Sequence, residues 1–226
     1  MMAAHVHDAL SQVRRLRQLI VEKRSFRGYS GVARVISGAL ALTVAGVLLG
    51  WGESRPAAFH LAAWGAVAAV ALLLNYGAMA AWFLFDAEVG RQPGRLMPAA
   101  DALPALAVGA ALTVALVLRG QYDLLFGVWM TSYGVAHVAH RQSLPGGTYA
   151  VGLFYLLAGT LCLLVPGISF RDPRPMGIVF FVGEWAGGYA LIRLGRRLAP
   201  ADSPDRTHRE HPPDDPGPAT GKGGRA

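Results

Sequence analysis

AAFHLAAWGAVAAVALLLNYGAMAAWFLF, residues 57–85, contains no Asp, Glu, Lys or Arg. An α-helix needs roughly 20 apolar residues to cross a bilayer, and this run is long enough to tilt or to extend past it. Working outward, further apolar stretches lie at 35–50, 101–118, 122–140, 148–164 and 176–194, separated by short polar breaks. A soluble domain rarely carries more than one such stretch. The pattern predicts an all-α membrane protein, a bundle of about six transmembrane helices preceded by an N-terminal amphipathic helix. The expected organisation is a basic amphipathic helix over 1–33, a six-helix transmembrane domain over 34–197 and a disordered cytoplasmic tail over 198–226.

Composition agrees. Charged residues are 15% of the chain against 53% hydrophobic, where soluble domains carry roughly 25% charge. The formal charge of +7 would suit nucleic acid, but on a membrane protein basic flanks beside anionic lipid explain it better, so no direct nucleic-acid partner is expected. Cys162 is the only cysteine, which excludes an intrachain disulfide and reads as a small packing residue. The first 33 residues lack an apolar core followed by a small-residue cleavage site, so no cleavable signal peptide is expected.

In residues 4–27, Val6, Leu10, Val13, Leu16 and Ile20 recur at helical steps, while Arg14, Arg15, Arg17, Lys23 and Arg24 fill much of the remaining surface. Such a helix lies on a membrane surface, docks on a partner, or leads the chain into the first span. Asp101 is the expected N-cap of the third span, with Pro104 in its first turn. Pro145-Gly146-Gly147 and Pro166-Gly167 bracket the fifth. The tail after Ala199, rich in Pro, Gly, Asp and Arg, cannot bury enough surface to order itself, and its His208 and His211 read as incidental. Six spans with basic residues at both flanks, up to Arg34 and again at Arg193, Arg196 and Arg197, put both termini in the cytoplasm.

Polar groups inside a bilayer are costly and mark candidate sites. They are Asn75, His137 and Glu184, which could share one depth, with His140 at the end of the fourth span. His137 and His140 share a helix face, a spacing a metal could use with Glu184 as third ligand. The plainer reading leaves His140 at the interface and His137 bonded to a neighbouring helix. Depth argues against a bis-histidine haem through His60, which lies on the outer side, ~25 Å from His137 by helix rise. His60 is instead expected at the interface. Glu184 is either neutral or paired; it is a proton or cation relay, or a packing residue beside Gly183 and Gly187. Trp51, Trp82, Trp129, Tyr122 and Tyr149 mostly fall toward span ends and are expected to anchor there.

Two stretches carry a resemblance. Leu16-Arg17-Gln18-Leu19-Ile20 through Ser25-Phe26-Arg27-Gly28-Tyr29-Ser30-Gly31-Val32 into Gly38-Ala39-Leu40 is one. Gly127-Val128-Trp129, Tyr133-Gly134, Gly152-Leu153-Phe154, Gly159, Gly177 and Leu191-Ile192-Arg193 with Arg196-Arg197 is the other. Together they resemble an uncharacterised group of bacterial six-span inner-membrane proteins, companions of small winged-helix regulators. The resemblance implies no reaction and a signalling or accessory role; the Pro-rich tail and the His137/His140 pair depart from it.

The leading expectation is therefore a bacterial inner-membrane protein without enzymatic activity or cofactor. It would act through a protein partner on the cytoplasmic side as sensor, anchor or assembly factor, and could form a homo-oligomer. The alternatives are a small-solute transporter using Glu184 and Asn75, or a membrane redox or metal protein using His137 and His140.

Overall fold

The computed structural model describes residues 12, 28–51, 54–86, 96, 100–139 and 146–198. Arg14, Arg15, Arg17, Lys23 and Arg24, His140 and the tail from residue 199 lie outside them. Six α-helices occupy the described residues, with no strand: α1 Gly31–Trp51, α2 Ala57–Phe85, α3 Leu103–Leu118, α4 Leu125–Ala139, α5 Gly146–Leu164 and α6 Arg174–Leu198. Four of them, α1, α2, α5 and α6, are long and apolar enough to cross a membrane. The third and fourth expected spans are shorter, at 16 and 15 residues. At 1.5 Å per residue they reach ~24 and ~22 Å, less than the ~30 Å of hydrocarbon in a bilayer.

The elements begin and end for local reasons. Ala- and Leu-rich sequence favours helix, and the breaks are chemical. Gly167, in the turn after α5, has φ 89°, a left-handed conformation that glycine adopts without strain. Several expected boundaries move. α1 starts at Gly31, so the expected boundary between residues 33 and 34 falls inside a helix. α4 is entered through a 3₁₀ turn, Tyr122–Leu124, and α6 runs on to Leu198, which puts Arg193 and Arg196 inside its last turns. Asp101 does not cap α3; the capping position is Ala102, with no side-chain hydrogen bond.

Packing is sequential around an arc. α2 lies on α1, α1 on α6, α6 on α5, α5 on α4 and α4 on α3. α1 and α6 run antiparallel, with Gly31 beside Gly188, Gly38 beside Glu184 and Ala45 beside Gly177. The α4–α5 seam is a second antiparallel zipper. A Cβ added at Gly127 would come 2.9 Å from the Gly159 carbonyl, and one at Gly134 2.9 Å from the Gly152 carbonyl. Small residues seven apart on both helices thus let the backbones touch. α2 and α3 stand at the two ends of the arc. Outward faces are apolar, with Leu73, Phe85, Leu118 and Leu164 each more than 70% exposed. Water would penalise such a surface, and lipid would not.

A buried ion pair at the head of an apolar chamber

Glu184 sits on α6 level with Gly38, about two turns into α1. Arg34 is in the first turn of α1, where an arginine ordinarily snorkels out to the membrane surface. Here it turns inward. Its Nε donates to Glu184 Oε2 and its Nη2 to Oε1, both at 2.9 Å, in a two-pronged ion pair. The two side chains are only 7% and 4% exposed. Tyr133 on α4 and Tyr155 on α5 donate their hydroxyls to the same Oε1, at 2.9 and 3.0 Å. The carboxylate therefore accepts four hydrogen bonds from three helices. Burying two ions is costly unless geometry and extra hydrogen bonds compensate, and both conditions are met.

The glycines around Glu184 make this possible. A Cβ on Gly187 would lie 2.7 Å from the Arg34 guanidinium carbon, and one on Gly183 would collide with the Tyr155 ring. Gly183 and Gly187 thus serve the partners of Glu184 as much as the approach of helices. The α4–α5 zipper sets Tyr133, His137 and Tyr155 in one aromatic group. The His137 ring lies 4.4 Å from Tyr133 and 5.7 Å from Tyr155. His137 Nδ1 donates to the Tyr133 carbonyl at 2.9 Å, which fixes the proton on Nδ1, because a carbonyl only accepts.

Beside this cluster lies a cavity of about 670 Å³, lined by residues of α1, α2, α3, α4 and α6. About half of its lining is Ala, Leu, Val and Gly, with Trp64, Trp129, Met176 and Phe180 adding further apolar surface. α2 and α3, the ends of the arc, face each other across it. Trp64 and Asn75, eleven positions apart on α2, both line it, so it extends ~16 Å along that helix. The end near Trp64 is closed by aromatic packing. Phe170, 1% exposed, lies 4.9 Å from Phe126 and 5.9 Å from Trp129, ring to ring. The loop carrying Phe170 is pinned at its backbone N–H, which donates to Asp123 Oδ1 at 2.7 Å.

The other end is polar. Asn75, His137 and Glu184, singled out from the sequence on three different spans, all line this one chamber. Asn75 Nδ2 donates to the Ala71 carbonyl at 2.9 Å and reaches Ser37 Oγ at 3.4 Å. Tyr29, just before α1, joins them; burial and the nearby Tyr76 push its phenol up to about 12, so it stays neutral.

Other expectations are corrected. His60, in the first turn of α2, does not face outward: it is fully buried against Phe59 and Phe170, because the loop after α5 folds over it. Trp129 points inward and donates to Thr113 Oγ1 at 2.8 Å rather than anchoring at a surface. Of the expected His137/His140 metal pair only His137 lies among the described residues; among these no three His, Cys, Asp or Glu side chains are placed to share a metal ion, and Glu184 is held by Arg34. Arg34, Tyr133 and Tyr155 were missed. The signal for Arg34 was present: a lone mid-span carboxylate flanked by glycines needs a cation, and Arg34 begins the small-residue stripe Ser37-Gly38-Ala41-Ala45. Comparison with known proteins adds nothing to the geometry: no family model, no curated protein and no solved structure matches the chain.

Proposed function

We propose that this protein is a non-enzymatic six-span membrane protein that holds a mainly apolar small molecule within the bundle and reports its presence to a protein partner. The observation that carries the reading is the cavity of about 670 Å³. It falls within the roughly 300–1,000 Å³ of ordinary ligand sites and has the usual make-up, apolar walls with a few convergent polar groups. α3 and α4 complete the six spans, their shortness offset by the flanking turns and by local thinning of the bilayer. The resemblance to bacterial inner-membrane companions of winged-helix regulators supports that location. The basic flanks support cytoplasmic termini, and the N-terminal basic segment is the surface offered to the partner.

A transporter reading is weaker. A carboxylate that relays protons or cations must be free to change partners, and Glu184 is clamped by one arginine and two tyrosines. Two measurements test the proposed role. Solvent extraction and mass spectrometry of the purified protein should yield one apolar compound near stoichiometric amount. Deleting residues 1–27, which leaves Tyr29 and Ser30 in place, should abolish capture of the partner while that compound is retained. A protein that carries only bulk lipid, or that captures its partner equally well after the deletion, contradicts the reading.

A further inference from the structure

We infer that the chamber selects a molecule with a long apolar body and an uncharged head bearing a carbonyl-type acceptor, received by Arg34; this rests on the ligand-chamber reading above. Arg34 spends Nε and one Nη2 hydrogen on Glu184. Among the described residues its Nη1 makes no hydrogen bond, although the side chain is 93% buried and lines the chamber. Nη1 is not among the fully buried unpaired atoms, so it opens on the chamber, and that edge of the guanidinium is placed to meet an acceptor there. The head group is uncharged because the pair has already cancelled its own charge. A ligand carboxylate would set two anions against one guanidinium in an apolar site, where like charges repel strongly.

Asn75 adds no charge at that end, and its Nδ2 is occupied by the Ala71 carbonyl and Ser37 Oγ. The length of the body follows from the cavity, which runs ~16 Å from Asn75 to Trp64 between apolar walls. Entry is between α2 and α3, the two ends of the arc, which among the described residues do not pack along each other. An amphipathic molecule would enter there sideways from the lipid, its head last to leave the interface.

The test uses the full-length protein in nanodiscs and two photoactivatable probes of equal chain length, a fatty acid and its methyl ester, at a pH that ionises the acid. The ester should label the wild-type chamber with about tenfold or greater preference over the acid, corresponding to loss of about one charge-assisted hydrogen bond's discrimination. Glu184→Gln should reverse the preference, because Arg34 then keeps an uncancelled charge. Arg34→Gln with Glu184→Gln, which carries no ion, should bind the ester more weakly than wild type and reject the acid. Equal labelling by the two probes, or preference for the acid in the wild-type protein, overturns the head-group inference and leaves the chamber standing. Labelling by neither probe overturns both.

Discussion

The α1–α6 seam and the α2–α3 side of the bundle are both built from apolar helices, yet they pack in opposite ways. In the seam, Gly31, Gly38, Gly177, Gly183, Gly187 and Gly188 remove side-chain bulk wherever the other helix or a polar partner must come close. Its centre is the Arg34–Glu184 pair. On the other side, Gly65 and Gly77 of α2 have nothing within 4 Å of a would-be Cβ. The six seam glycines are contact points and the two α2 glycines face open space, while Gly109 of α3 is a contact point against Ser132 of α4. Hydrophobicity suits both to lipid; steric fit and hydrogen bonding decide which becomes a wall and which becomes a chamber.

Removing one ion from the seam should have the largest effect. Arg34→Ala or Glu184→Ala leaves an uncompensated buried charge and should cost about 3–5 kcal/mol, read by denaturant titration in detergent. Replacing both with Met should recover most of that loss, as a double-mutant cycle would report. Additive losses would mean that the two side chains do not act as a pair. Next comes Tyr155→Phe, which takes one donor from Glu184 Oε1 and should cost about 1.5–3 kcal/mol, the range for hydrogen bonds to charged groups.

The same substitution made on the two sides sharpens the contrast. A Cβ on Gly188 would come 2.6 Å from the Gly31 carbonyl oxygen, so Gly188→Leu should cost about 1–3 kcal/mol or more by overpacking. Gly65→Leu meets no such obstacle and gains helix propensity, so its stability should be unchanged or up to about 1 kcal/mol higher. Equal losses at both positions would erase the distinction between seam and chamber.

The smallest effect lies in the loop before α6. Arg174 donates to Asp172 Oδ1 at 2.8 Å and holds its carboxyl below the ordinary value of 3.8. A lowered folded value means that the stabilisation is present above 3.8 and is lost as pH falls through the folded value. The pair is exposed, so the loss should be a few tenths of a kcal/mol at most. Asp172→Asn should remove that acid-side slope and leave the seam intact.

Membrane character and most element boundaries were legible because they depend on long runs of one chemistry. Asn75, His137 and Glu184 were legible for the opposite reason, as polar exceptions within those runs, and the fold brings them to one chamber. Arg34 was not. A basic residue at a span end obeys the charge rule for flanks, and only the three-dimensional register of α1 against α6 shows that it turns inward. Tyr133 and Tyr155 were hidden because a tyrosine in a span reads equally as packing, belt or ligand. His60 and Trp129 were misplaced because depth along a helix says nothing about which face is covered. Phe170, in a short loop, folds over both.

The most direct measurement pairs wild type with Gly65→Leu and reads melting temperature and binding of the long-chain methyl ester together. The chamber account predicts an unchanged or higher melting temperature with at least about tenfold weaker binding, since the new side chain fills ligand space and disturbs no contact. Binding that is unchanged in a stable Gly65→Leu protein would place the ligand elsewhere and contradict it.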